Sequence, residues 1–350
     1  MTEIWQEVEK IIQPIYQVGG SVRDEIMGRP PNDYDFATPL LPNEIEQKIR
    51  DAGRRPYLTG RKFGTIGVKI NGELVEITTF RQEEYREGSR KPDVTFVDDI
   101  TADLSRRDFT INAIAKRQHR YIDPFGGIND IKEKTIRSVG SANTRFKEDP
   151  LRMLRAARFA AQLGFHVDEK TQKFMYKKAY RILRVSKERW VAELDKILMS
   201  EVPSIGLNIL MKNRLLDFIL PEIAIQYKYD QENPYHQYDL WTHTYKVVDA
   251  TPPVLVLRWG ALLHDIGKPF VRVDKKNPDR GTYATHELLG ADMVEKLGRH
   301  LRFSNERREA LVELVKNHMT KNSPLRRYDT SATKLVDDKK EDFWKQYWNH

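Results

Sequence analysis

The 350-residue chain contains no cysteine. That excludes a disulfide framework, thiolate catalysis and any zinc site built on thiolates, and it fits a cytosolic protein. No run approaches the roughly 20 apolar residues that cross a bilayer. The first residues, MTEIWQEVEKIIQPIYQVGG, are acidic and helix-like rather than basic and then apolar, so neither a signal segment nor a membrane partner is expected. No internal repeat or low-complexity tract is present. With 39% hydrophobic and 31% charged residues, the rest is an ordinary globular composition, long enough for two or three domains.

Positive charge is in excess but unevenly spread. The net charge is +8, and residues 141–225 alone hold 16 Lys and Arg against 10 Asp and Glu. A basic waist between more neutral ends points to a polyanion such as a nucleic acid.

The pattern of elements divides the chain. IYQVGG, TIGVKING, ELVEITTF and RYIDPF read as strands, NEIEQKIRDAG as a helix ending at Gly53, and Asn71-Gly72 as a hairpin turn. From about residue 141 the spacing is helical, as in DPLRMLRAARFAAQLG, EKTQKFMYKKAYRIL, KERWVAELDKILMS and SIGLNILMKNRLLDFIL, with Gly164 closing the first. After the irregular link LPEIAIQYKYDQENPYHQYD, a second helical region carries most of the histidines. The expected organisation is an α/β head (1–140), an all-helical neck (141–225) and a helical tail (226–350), an α+β chain overall.

In the head, VGGSVRDEIMGRPPNDYDFAT sets Asp33 and Asp35 one residue apart. Two residues along a strand put both carboxylates on one face about 6.6 Å apart. Oxygen ligands without His or Cys favour magnesium completed by substrate phosphates. The diglycine lets backbone N–H groups approach a phosphate ahead of a helix start, with Arg23 one turn in. Taken alone, NDYD also reads as a solvated turn and GG as a plain loop.

Gly19-Gly20-x-Val22-Arg23-Asp24-x-x-x-Gly28 followed by Asp33-x-Asp35 resembles the signature of the class II tRNA nucleotidyltransferases and bacterial poly(A) polymerases, a branch of the polymerase-beta-like nucleotidyltransferases. The resemblance implies that Asp33 and Asp35 hold magnesium, that Gly20 and Arg23 hold the triphosphate, and that Glu76 in VEITTF is a candidate third carboxylate. It extends to LSRRDFTINAIA, where Arg107 is implied to contact the nucleotide while Asp108 and Asn112 shape the site. By itself RRD before a helix is also a surface salt-bridge cluster.

EDPLRMLRAARF carries the third match. Asp149, Arg152, Arg155 and Arg158 recur every three residues and form one helical stripe. Read from the residues alone, Asp149 is an N-cap before Pro150 and the arginines a solvated face. The resemblance instead assigns Asp149 and Arg152 to the base edge of the incoming nucleotide, with Arg155 and Arg158 in support. A carboxylate and a guanidinium complement the amino donor and ring-nitrogen acceptor of cytosine and adenine, and mismatch guanine and uracil. Between these motifs, FRQEEYREGSRKPDVTFVDDI reads as a mobile loop; the family's counterpart governs the change from C to A addition.

The tail segments WTHTYKVV, WGALLHDIGKP, ATHELLGADMVEKL and LVELVKNHMT resemble an HD domain. That implies a metal site at His243, His264 and Asp265, joined by His286 and His318, with Asp329 a guess for the closing carboxylate. Imidazoles with a carboxylate suit a transition metal or manganese. The function expected from the resemblance is template-independent addition of CMP and AMP, from CTP and ATP, to the 3' end of tRNA. Enzymes restricted to CC or A addition, a poly(A) polymerase, and an HD-type metal-dependent phosphohydrolase are the alternatives.

Overall fold

The computed structural model describes residues 3–31, 33–85, 93–231, 238–272 and 283–328. They form two compact units, Met1–Asp149 and Pro150–His350.

The first unit runs α1 (Glu3–Ile11), β1 (Tyr16–Val18), α2 (Gly20–Ile26), β2 (Asp35–Thr38), α3 (Pro42–Asp51), β3 (Pro56–Tyr57), β4 (Thr65–Ile70), β5 (Glu73–Thr79), β6 (Arg81–Glu84), β7 (Asp93–Phe96), α4 (Ile100–Ser105), β8 (Ala115–Arg117), β9 (Arg120–Ile122), α5 (Gly127–Lys132) and α6 (Ala142–Glu148). Seven strands make one sheet in the order β3-β4-β5-β2-β1-β8-β9. Its β2 and β5 are parallel and the other neighbours antiparallel.

Period-two alternation sets the two faces. Phe36 of β2, Ile66, Val68 and Ile70 of β4, and Val75 and Ile77 of β5 pack with Trp5 and Val8 of α1 and Ile45 and Ile49 of α3. Ala37, the next residue of β2, belongs to the opposite core with Val18, Phe80 and Leu104. Asp35 and Glu76 therefore project away from α1 and α3. The Asn71-Gly72 turn joins β4 to β5 with φ of 50° and 89°, the pair of positive values that a two-residue primed turn requires. The expected mobile loop has paired ends, since β6 and β7 form an antiparallel ladder; its apex, 86–92, lies outside the described residues.

The second unit is helical: α7 (Leu151–Leu163), α8 (Glu169–Lys178), α9 (Lys187–Leu198), α10 (Pro203–Lys212), α11 (Leu216–Ile219), α12 (Pro221–Ala224), α13 (Leu240–Ala250), α14 (Leu255–Leu263), α15 (Lys268–Val271), α16 (His286–His300) and α17 (Asn305–Lys316). Gly164 closes α7 at φ 69°, as its position in the sequence suggests. The single helix expected over EKTQKFMYKKAYRIL instead tightens into a 3-10 segment at Ala179–Arg184, which buries Ala179 and Ile182 three residues apart.

Neck and tail segments share this unit because polar bonds and ion pairs cross between them. Trp241 Nε1 donates to Asn208 Oδ1 at 2.8 Å, and the Ser204 hydroxyl donates to Asp249 at 2.5 Å. Asp195 accepts from Trp259 Nε1 at 2.7 Å and from both terminal nitrogens of Arg307 at 3.0 and 2.6 Å. Arg258, buried, donates to the carbonyls of Leu198 and Ser200 at the end of α9 and to Thr251 O at 3.0 Å. Removing that guanidinium strands three carbonyl acceptors, so Arg258→Met should destabilise this unit by about 2–4 kcal/mol. The denaturant midpoint measures it, and an unchanged midpoint would contradict the capping role.

Candidate functional site

β2 begins at Asp35, and Asp33 lies in the exposed bend before it, not on the strand as its spacing suggested. The pairing register sets Asp35 between Val18 of β1 and Glu76 of β5. Burial, the largest influence, pushes the Asp35 carboxyl up; the charges of Glu76 and Asp33 act in the same direction, and the Arg107 cation opposes them. Three acidic groups thus act on one another with Arg107 as the opposing charge. That is the donor chemistry a hard divalent cation requires, and Asp33, Asp35 and Glu76 could hold magnesium.

Gly19 is what lets Arg107 and Asp35 come this close. Its φ of 74° and ψ of −137° belong to a region open to glycine. A methyl there would lie 3.0 Å from Arg107 Nη1 and 3.7 Å from Asp35 Oδ2. The sequence pointed to Gly20 instead, which starts α2 and faces Arg23, a methyl on it lying 3.5 Å from Arg23 Nη2.

Arg23 is buried, and all three of its guanidinium nitrogens bond to protein. Nε and Nη2 donate to Asp24 Oδ1 at 2.9 and 2.8 Å, and Nη1 donates to Asn112 Oδ1 at 2.7 Å. Asn112 Nδ2 in turn donates to Asp108 Oδ1 at 3.2 Å. The first and second motifs are therefore one hydrogen-bonded framework, with Arg23 as its bridge.

In the second unit the stripe is not a solvated face. Arg152 and Arg158 are buried and Arg155 is half-buried. Arg158 Nε lies 3.2 Å from Glu193 Oε2 of α9, and its guanidinium sits 4.2 Å from the Phe159 ring centre, with Arg155 at 5.4 Å. Asp149 is the closing residue of α6, and Pro150, rather than Asp149, occupies the N-cap of α7. Further on, Lys173, Tyr176, Lys177, Tyr180, Leu183 and Arg184 are exposed at helical spacing. Cations alternating with aromatic and apolar side chains can track a phosphate backbone and stack on bases.

The tail brings His243, His264, Asp265, His286 and His318 into one buried cluster. His243 Nε2 and His264 Nε2 lie 3.3 and 3.0 Å from Asp265 Oδ2, while His286 Nε2 and His318 Nε2 lie 3.3 and 3.5 Å from Oδ1. Nδ1 of His264, His286 and His318 each sits 2.7 Å from a backbone carbonyl, of Ala261, Tyr283 and Val315. Those carbonyls fix the proton on Nδ1 and leave the Nε2 lone pairs facing inward. His286 and His318, both held in this way, bring their Nε2 atoms to 3.0 Å, where two lone pairs repel unless a proton or a metal ion lies between them, and His243 Nε2 is likewise 3.0 Å from His264 Nε2. Although burial opposes ionisation, His264 and Lys268 hold the Asp265 carboxyl well below its usual range. His286 and His318 complete the cluster, and Asp329, the guessed closing carboxylate, lies outside the described residues. Gly267 makes room for α16, since a methyl on it would lie 2.3 Å from His286 O.

Three family models match the chain: the poly A polymerase head domain over residues 15–137, the probable RNA and SrmB-binding site of polymerase A over 164–226, and the HD domain over 235–338. The CCA-adding enzyme of Geobacillus thermodenitrificans is 37% identical over 266 residues, 74% of this chain and 62% of that protein. The CCA-adding enzyme of Latilactobacillus sakei is 42% identical over 225 residues, 64% of this chain and 55% of that protein. The chain thus spans less than two thirds of the length of these curated relatives. Among solved structures, the Bacillus stearothermophilus CCA-adding enzyme in complex with CTP is similar, with a TM-score of 0.62 and 29% identity, covering 99% of this chain and 83% of that one. A tRNA nucleotidyltransferase complexed with a primer tRNA and an incoming ATP analogue shares the fold at a TM-score of 0.57 and 24% identity, covering 96% and 88%.

Because Asp265 faces both histidine pairs, Asp265→Ala should weaken manganese binding by the tail about 100-fold or more. His318→Ala should leave the His243 and His264 side able to bind. Equilibrium dialysis on a chain that also carries Asp33→Ala and Asp35→Ala isolates the tail; equal binding with and without Asp265→Ala would rule the cluster out as a metal site.

Proposed function

From a chain that belongs to the class II tRNA nucleotidyltransferase and poly(A) polymerase family, with an HD domain in its tail, we infer an enzyme that adds CMP and AMP to the 3' end of tRNA without a nucleic-acid template. The observation that carries the reading is the partly buried Asp35, its carboxyl pushed up by burial and by Glu76 and Asp33, opposite Arg107 across Gly19. Magnesium bound there would polarise the α-phosphate and offset charge on the departing pyrophosphate.

The protein's own groups hold and orient. Asp33, Asp35 and Glu76 supply the acidic donors, Arg107 supplies positive charge for the nucleotide, and Gly19 keeps side-chain bulk out of the space between them. Gly20 lets the backbone at the start of α2 approach a phosphate, while Arg23, on the geometry described, acts from beneath by tying α2 to Asn112. Asp149 and Arg152 are the base-reading pair, which accepts the amino donor and ring nitrogen of cytosine or adenine. Arg158 ties that helix to Glu193 of α9, and Arg155 and Arg158 both pack on Phe159 of the same helix. The exposed cations and tyrosines of residues 173–184 suit tRNA held by backbone and shape, and binding should weaken as salt rises. The absence of cysteine fits a cytosolic setting.

A second reading concerns the tail. Four imidazoles around one ionised carboxylate, beside Lys268, favour a transition metal or manganese and a phosphoester substrate.

Incubating the whole chain with tRNA that lacks its terminal CCA and with each labelled nucleotide tests the first reading. Two C and one A should be added; long adenylate tails on unrelated RNA would indicate a poly(A) polymerase, and incorporation of neither nucleotide would overturn nucleotidyl transfer. For the tail, manganese-dependent cleavage of bis-p-nitrophenyl phosphate should vanish in His264→Ala and survive in Asp33→Ala, and the reverse pattern would move the hydrolysis to the head.

A further inference from the structure

Arg107 has a second carboxylate behind it that no sequence motif singled out. Its Nη2 donates to Asp103 Oδ2 at 3.2 Å, one turn back in the chain. Its Nη1 lies on the Gly19 side, and its Nε is buried with no acceptor among the described residues. One end of the guanidinium is thus fixed by protein, and the N–H donors of Nη1, on the Gly19 side, are left for an incoming oxygen.

Asp103 is suited to that task. Its side chain is 1% exposed, and its two oxygens divide the work. Oδ1 accepts from Arg106 Nε and Nη2 at 3.0 and 2.8 Å and from the Arg81 backbone N–H at 3.2 Å. Oδ2 is directed to Arg107. Burial disfavours the charged carboxylate, yet Arg107 and Arg106 outweigh it and keep the group ionised. Arg106 is itself held by Glu83 Oε1 at 3.0 Å, which also accepts from Arg81 Nε at 3.1 Å. The plane of the Asp103 carboxylate is therefore set by β6, and that plane sets the guanidinium of Arg107.

We propose that Asp103 is the positioning residue for nucleotide binding: it holds Arg107 with its free donors toward the triphosphate of a nucleotide at Asp35, while Arg106 and the Arg81 backbone N–H hold its other oxygen. This rests on the nucleotide-binding reading given above but not on tRNA being the acceptor. An asparagine cannot replace Asp103. With its oxygen toward Arg107, its amide N–H₂ meets the donors of Arg106 and Arg81; turned over, it meets Nη2 of Arg107. Glu83 provides the control, since it touches Arg81 and Arg106 but not Arg107.

The test is the dissociation constant of magnesium-CTP and magnesium-ATP for the whole chain by calorimetry, alongside the melting temperature of each variant. Asp103→Asn should weaken both nucleotides about tenfold or more, the loss of one well-aligned charge-assisted contact. In an Arg107→Lys background the same change should add less than about twofold, because the two residues act as one unit. Glu83→Gln should cost less affinity than Asp103→Asn at a comparable loss of melting temperature. The proposal is overturned if Asp103→Asn binds within twofold of the parent, if its full factor persists in Arg107→Lys, if Glu83→Gln matches it, or if the parent binds neither nucleotide. A parent that binds CTP and ATP but extends no tRNA would overturn only the tRNA reading.

Discussion

A carboxylate that is partly buried among other carboxylates has to be balanced by positive charge, and the first unit is organised around that requirement at Asp35. Burial and the neighbouring Glu76 and Asp33 all disfavour its ionised form. A proton could relieve the strain, but a proton leaves nothing to attract a phosphate. The fold answers with Arg107, and it brings Arg107 close by leaving Gly19 without a side chain. One cation against three carboxylates leaves the balance negative, which is the condition under which a divalent ion is drawn in.

Much of this could be read from the chain before the fold was known. The spacing of strands and helices, the Asn71-Gly72 turn and the Gly164 cap follow from period, φ requirements and turn chemistry, which are local properties. The meeting of Asp35 with Glu76 is different in kind, because parallel register between β2 and β5 depends on how the intervening chain packs. The two-residue spacing of Asp33 and Asp35 suggested a shared strand face, whereas the strand starts only at Asp35. Arg23 looked like an anion ligand from its place in α2; the structure joins it to Asn112, 89 residues away, a partner no local pattern reveals. Asp103 had a local signal, lying in α4 four residues before Arg107, but its burial had none. In the second unit, the arginine stripe had the right period and the wrong environment: Glu193 and Phe159 turn Arg158 inward.

The tail was legible at His264-Asp265 and ambiguous beyond it. What closes the cluster is the fit of α16 against Gly267, which brings His286 within reach of Asp265. A distant carboxylate was sought because such sites commonly end in one; among the described residues two imidazoles face the second oxygen of Asp265, and Asp329 lies outside them.

The two candidate metal sites differ in how they are prepared. In the tail, backbone carbonyls hold the ring protons of three histidines and all five donors of the described cluster are buried, so those donors are gathered before an ion arrives. In the head, Asp33 is exposed in a bend, and among the described residues no three acidic groups meet at ligand distance. Prearranged imidazole donors select a resident ion by geometry and hold it. Loosely gathered oxygen donors bind weakly until a substrate supplies further oxygens, and release the ion when that substrate leaves. A reaction whose substrate carries its own phosphate ligands calls for the second arrangement, and Arg107, held from behind by a buried carboxylate, is the part of the head that stays fixed while the rest assembles.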